Sequence, residues 1–169
     1  AARLELARRY LHIFGPTTPA AFAKWAGITR AVGEAAFDSL TGSLTPVRTP
    51  VGDASILTSD EPTFRAAARP AGGARLLPSG DAYLLLHGAD RELLVSDARR
   101  RRALWTPRVW PGGVLVGGEL VGTWRRADSH VTIEPWRHLS RVEREAVEAE
   151  AESLPLPGVQ GHIKVRWVR

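Results

Sequence analysis

The stretch "GPTTPAAFAKWAGITRAVGEAAFDSL", residues 15–40, divides itself into two short helices. Gly15 and Pro16 close whatever helix precedes them. Thr18 is a good N-cap, and Pro19 falls where a first helical turn tolerates its missing N–H. Phe22, Trp25 and Ala26 then share a face, and Gly27 ends the segment. Thr29 caps a second helix whose apolar residues are Val32, Ala36, Phe37 and Leu40. Gly33 inside it costs about 1 kcal/mol of helix propensity relative to Ala.

Upstream, "LELARRYLHIF" (residues 4–14) puts Leu4, Ala7, Leu11 and Phe14 at helical spacing, with Arg8 and Arg9 off that stripe. Downstream, "LTPVRTPVGDASILTSD" reads as two extended pieces joined at Gly52 and Asp53. Three helices with tight connections and then a hairpin are the winged-helix order, assigned to residues 1–70. In that order the third helix enters the major groove and the hairpin wing reaches along the backbone.

Residues 66–80, "AAARPAGGARLLPSG", change texture and mark a boundary. The remainder, 71–169, predicts a β-rich, hairpin- or barrel-like α+β unit, so the fold class is α+β throughout. "DAYLLLHG" reads as a buried apolar stretch and "DRELLVSDARRRRALW" as partly helical. Val114–Val116 and Glu119–Val121 flank Gly117 and Gly118, a two-residue loop suited to a primed turn. Val131 and Ile133 alternate with Thr132 and Glu134 in a third strand. Ser140 and Glu143 make a capping box for a solvated helix with Val142, Ala146, Ala149 and Leu154 toward one face. The chain closes on "HIKVRWVR", where Ile163, Val165 and Trp167 alternate with Lys164, Arg166 and Val168.

The composition sets bounds. The 169 residues suit one domain or two small ones, and 44% apolar content supports a core. No apolar run approaches the roughly 18–20 residues of a membrane helix, so no membrane partner is expected. With no cysteine, disulfides and thiolate metal sites are excluded, and a cytoplasmic location is expected. Of the 23 basic residues, only Lys24 and Lys164 are lysine, a bias typical of GC-rich coding sequence. The absence of methionine, even at position 1, points to a piece of a longer protein.

Four stretches carry a family resemblance: "RRYLHIFGPTTPAAFAKWAGI", "LLPSGDAYLLLHG", "GGVLVGGELVGTWRR" and "EPWRHLSRVEREAVEAEAESL". In content and order they resemble the winged-helix DNA-binding-domain family whose characterised bacterial members are AlkZ-type DNA glycosylases. The chain is similar to the C-terminal portion of that family. Gly80 departs from it, standing where an aromatic or similar residue is usual. The resemblance implies tandem winged-helix units wrapped on duplex DNA, with the N-terminal half of the same protein as a missing partner. It also implies DNA repair, by removal of alkylated bases and unhooking of interstrand crosslinks.

Such excision needs a positioned water and stabilisation of a cation as the base leaves. The family places that water with a polar pair, typically two Gln flanking one residue in the N-terminal half. This chain has one Gln, Gln160, and no Asn, so no catalytic residue is assigned within it. Other chemistries lack a signature as well. The five histidines never fall at i,i+3 or i,i+4, so no metal or other cofactor is expected. Asp81 and Asp97 read as turn or cap formers. Ser79 lacks a nucleophile-elbow context, and the Gly pairs lack a following Lys-Ser/Thr.

Double-stranded DNA is the expected partner. Arg30 in the first turn of the third helix, Thr29 at its N-terminus and Arg48 on the wing are candidate contacts. Residues 99–126 hold seven arginines against Glu119 alone, a formal +6, whereas residues 140–153 set two arginines against five glutamates. Arg101, Arg102, Arg125 and Arg126 are therefore candidate phosphate contacts. Within "DARRRRALWTPRVW" the arginines at 99–102 are expected to point outward, while Trp105 and Trp110 anchor a core. Two other readings stay open: a non-catalytic DNA-binding or regulatory relative, and a winged helix used for protein contacts.

Overall fold

The computed structural model describes residues 2–66, 72–85, 90–155 and 162–168. The chain falls into two compact units, Ala1–Arg69 and Pro70–Arg169. Among the described residues no helix is long and apolar enough to cross a membrane.

In the first unit, α1 (Ala2–Phe14) buries Ala7, Tyr10 and Leu11. Tyr10 lies outside the expected stripe, yet it joins one aromatic cluster, its ring centroid 5.0 Å from Phe14, 5.3 Å from Phe22 and 4.9 Å from Trp25. The phenol hydroxyl explains how tyrosine is accommodated there, because it accepts a 3.3 Å hydrogen bond from the buried Thr17 hydroxyl. Next, α2 (Pro19–Ala26) starts as expected: Thr18 Oγ1 accepts from the Ala21 N–H at 3.2 Å. Gly27 closes it at φ 66°, a left-handed conformation that a side chain would strain.

Thr29 occupies the N-cap of α3 (Arg30–Asp38) with extended dihedrals, but its side chain makes no capping bond. Gly33 of α3 is buried for a reason of packing. A Cβ there would come 2.7 Å from the Pro19 carbonyl oxygen and 2.9 Å from the Ala23 Cβ, so its absence lets α2 and α3 touch. Strands β1 (Leu44–Thr49) and β2 (Gly52–Leu57) pair antiparallel with Thr49 opposite Gly52. The turn is thus Pro50-Val51, and Gly52 and Asp53 belong to β2 rather than to the loop. The linker between α1 and α2 joins this hairpin, because Thr17 and Ser55 exchange backbone bonds of 3.0 and 2.9 Å. A short helix, α4 (Glu61–Arg65), follows.

The second unit is built on one sheet whose order follows the sequence. It comprises β3 (Ala74–Leu77), β4 (Gly112–Val116), β5 (Glu119–Ala127), β6 (His130–Pro135) and β7 (Lys164–Trp167). Neighbours are antiparallel except β6 and β7, which run parallel across a connection containing α7 (Arg141–Glu152). Among the described residues the strands form an open ladder with β3 and β7 at its opposite ends, rather than the expected barrel-like closure. Gly117 and Gly118 turn β4 into β5 at φ 56° and 87°, the two positive values of a primed hairpin.

Alternation along the strands sends side chains to two faces. On one, Ala74, Leu76, Val114, Val121, Val131 and Ile133 pack with Leu139 and with Val147 and Ala151 of α7. The expected helix face is corrected here, since Val142 is 74% exposed and Ala149 is exposed. Val147 and Ala151, four residues apart, make the buried contact instead, with Ala146 and Leu154 beside them. On the other face, Leu120 packs with Leu84, Val95, Leu104 and Trp105, joined by Leu77, Leu115, Trp110 and Trp136. This layer includes α5 (Asp90–Leu94) and α6 (Ala98–Leu104). The stretch expected to be buried at 81–88 is a short 3-10 turn that buries Leu84 and exposes Ala82 and Tyr83, its last three residues lying outside those described.

Candidate nucleic-acid interface

In the first unit the two expected arginines already have carboxylate partners. Arg30 Nε donates to Glu34 Oε1 at 2.8 Å while remaining 78% exposed, and Arg48 Nε lies 3.5 Å from Asp53 Oδ1. Exposed pairs of this kind are worth only about 0–1 kcal/mol, so a phosphate could displace either carboxylate. The helix as a whole is less favourable. Arg30 is the one cation of α3, against Glu34 and Asp38, so its formal charge is −1.

In the second unit, Asp97 caps α6 by accepting from the N–H groups of Arg99 at 2.7 Å and Arg100 at 3.0 Å. Those bonds hold its carboxyl below the usual aspartate range. Asp81 does the same for the turn after it, accepting from Tyr83 N–H at 2.8 Å. The arginines that follow Asp97 do not all point outward. Arg101 turns back, and its Nη1 donates to the carbonyls of Val95 at 2.8 Å and Ser96 at 2.6 Å. Its Nη2 lies 3.4 Å from Glu92, and its side chain is 23% exposed. It ties the end of α5 to α6. Arg100 donates to the Trp136 carbonyl, whereas Arg102 is exposed and has no bonded partner among the described residues.

Trp105 and Trp110 are core anchors. Trp105 Nε1 donates to the Leu84 carbonyl at 2.9 Å and Trp110 Nε1 to the Thr106 carbonyl at 2.8 Å. The Arg91 guanidinium lies 4.6 Å from one ring and 5.5 Å from the other. Arg91, Arg101 and Arg102 line a shallow cleft of about 320 Å³ against Trp105. With Arg101 bonded within the protein and Arg91 lying against the indoles, the cleft is a packing feature with Arg102 at its rim.

The sheet separates Arg125 from Arg126. Arg126 pairs with the buried Val131 and so belongs to the face that α7 packs on, where its side chain is exposed. Arg125 pairs with Thr132, which pairs in turn with Arg166 of β7. The same face carries His130 beside Lys164, and Glu134 opposite Thr123. Arg125, His130, Glu134, Lys164 and Arg166 are all exposed. Arg125 Nη2 also reaches the Val109 carbonyl at 3.3 Å. Sequence reasoning misses Lys164 and Arg166 because alternation in residues 163–168 indicates burial, while only the β6–β7 register shows which strand they join.

The acidic helix sits behind the opposite face. In α7, Glu143 closes the capping box with Ser140 and receives Arg137 Nη2 at 2.8 Å. The Arg137 bond first, then the Ser140 bonds, pull its carboxyl down to about 2. Trp167 Nε1 donates to Glu148 Oε1 at 2.7 Å, holding β7 against α7.

Comparison with known proteins gives concordant results. The sequence profile of the family described as "DNA glycosylase AlkZ-like" matches residues 1–155. The chain is 29% identical over 168 residues to the interstrand DNA cross-link repair glycosylase of Streptomyces sahachiroi, a match spanning 95% of this chain and 44% of that protein. The solved structure of the Streptomyces sahachiroi DNA glycosylase AlkZ superposes with a TM-score of 0.78 at 27% identity, over 99% of this chain and 46% of that one. The chain thus spans under half the length of the relative it matches.

Proposed function

The chain belongs to the AlkZ-like DNA glycosylase family, and from that membership we propose that it is a duplex-DNA-binding portion of a longer repair glycosylase. The observation that carries this reading is the continuous likeness, in sequence and in fold, of nearly the whole chain to part of a crosslink-repair glycosylase. Within the first unit, the order helix, bridging strand residue, helix, helix, hairpin supports a winged helix. The Thr17–Ser55 bridge supplies the short strand that pairs with the wing.

Catalysis is assigned to the part of the protein outside these residues. Hydrolysis of an N-glycosidic bond needs a water fixed against the sugar, and the single Gln and missing Asn leave no amide pair to hold it. The chain's own contribution is grip: cations that exchange condensed counterions for protein contacts and hold the duplex in place. A cytoplasmic setting fits that role.

The test compares this chain with the full-length protein on plain, alkylated and crosslinked duplexes. The chain is expected to bind duplex with an affinity that falls steeply with salt, and to release no base, while the full-length protein excises. Excision by the chain alone would overturn the placement of catalysis, and failure to bind duplex at low salt would overturn the grip. The acidic balance of α3 favours a second reading for the first unit alone, namely a winged helix that contacts protein. Loss of duplex affinity in Arg30→Ala and Arg48→Ala would exclude it.

A further inference from the structure

We propose that the bare face of the second unit's sheet, carrying Arg125, Lys164 and Arg166 with His130 beside them, is a seat for the phosphate backbone of duplex DNA. The proposal rests on the DNA-binding reading above and assigns that grip to a surface. Hairpin pairing and the parallel addition of β7 bring together residues that lie 39 and 41 positions apart in sequence, Arg125 with Lys164 and Arg166. Neighbouring strands are about 4.8 Å apart, so the Arg125 and Arg166 backbones stand roughly 10 Å apart across β6, and Lys164 lies about 7 Å along the strand from Arg166. One strand of B-DNA offers a phosphate about every 3.4 Å of axis, so such a patch spans about three of them.

Two further observations favour this face. Its β3–β5 end is closed by the Leu84–Trp105 layer, while its β5–β7 end has exposed polar side chains and the half-buried Thr132 between them. The five glutamates of α7 are on the opposite side, against the other face of the sheet. The two sides of the sheet therefore differ in charge balance: Arg125, Lys164 and Arg166 outnumber Glu134 on the bare face, whereas the five glutamates of α7 outnumber its Arg141 and Arg144 even with Arg126 on the same side. Glu134 shares the bare face, opposite Thr123 and diagonal to Arg125 and Arg166, while Lys164 lies beside His130 at the other end of β6. His130 adds a ring N–H that can donate to a phosphate oxygen.

The experiment measures duplex-DNA affinity of the 169-residue chain against salt. Arg125→Ala, Lys164→Ala and Arg166→Ala are made singly and together, and Arg141→Ala on α7 matches the charge change on the far side. Removing each cation of the seat is expected to flatten the slope of log K against log salt by about 0.9, and to weaken binding roughly tenfold near 0.1 M salt. Arg141→Ala should leave the slope unchanged. Lysine in place of Arg125 and Arg166 should restore it, separating charge from folding, and unchanged thermal unfolding of the single variants checks the same point. Tight, salt-sensitive binding by the triple variant would overturn the seat and leave the DNA reading intact. Failure of the unmodified chain to bind would overturn both. A slope change seen with single-stranded RNA and absent with duplex would reassign the face to another partner.

Discussion

At the scale of single residues, Gly33 and Glu143 show how one position can carry a structural consequence. Gly33 looks like a flaw in α3, yet a methyl group there would press on the Pro19 carbonyl and the Ala23 side chain. Gly33→Ala gains about 1 kcal/mol of helix propensity and meets overpacking of about 1–3 kcal/mol, so a net loss of stability is expected. Denaturant unfolding reads the sign, and a more stable variant would show that α2 and α3 yield easily. Glu143 works through charge. Its folded pKa, pulled down to about 2, lies below the ordinary 4.5, so its stabilising effect is fully present above 4.5 and fades as pH falls toward 2. The melting temperature of Glu143→Gln should therefore lie below the unmodified chain's at neutral pH, and the gap should close as pH falls from 4.5 to about 2.

Among elements, the run of four arginines is the informative case. Successive residues on a helix are turned by about 100°, so four in a row cannot face one partner. In α6 they divide the work: Arg100 and Arg101 bond backbone carbonyls, and Arg102 faces solvent. Arg101→Ala leaves the Val95 and Ser96 carbonyls without their charged donor and is expected to cost about 1–3 kcal/mol in denaturant unfolding. Duplex affinity should hardly change, whereas an affinity loss without a stability loss would return Arg101 to the nucleic-acid surface. Caps and turns are legible in the sequence because their causes are local. Thr18, Gly27, Ser140 with Glu143, and the pair Gly117 and Gly118 act on backbone groups within four residues. The buried face of α7 is not legible in the same way. Which side of a helix is covered depends on where the sheet lies, and periodicity alone admits the exposed Val142 beside the buried Val147. The turn at Pro50-Val51 stands two residues before the expected one because Gly52 and Asp53 are turn-forming types, while strand pairing sets the register.

Across the whole molecule, charge is where sequence and structure differ most. The block at 99–126 is strongly basic in sequence, but the fold uses Arg101 as an internal tie and sends Arg126 toward one side of the sheet and Arg125 toward the other. Residues far down the chain then join Arg125, and the acidic helix covers the opposite face. Sequence alone determined what depends on neighbours along the chain: the α+β class, the order of helices and hairpins, the caps at Thr18, Gly27 and Ser140, the tryptophan anchors and the family. Tertiary structure alone decided which cations share a surface. A side chain's face in a sheet is set by register, and β7 reaches β6 only by a parallel crossover, a pairing that no local signal encodes.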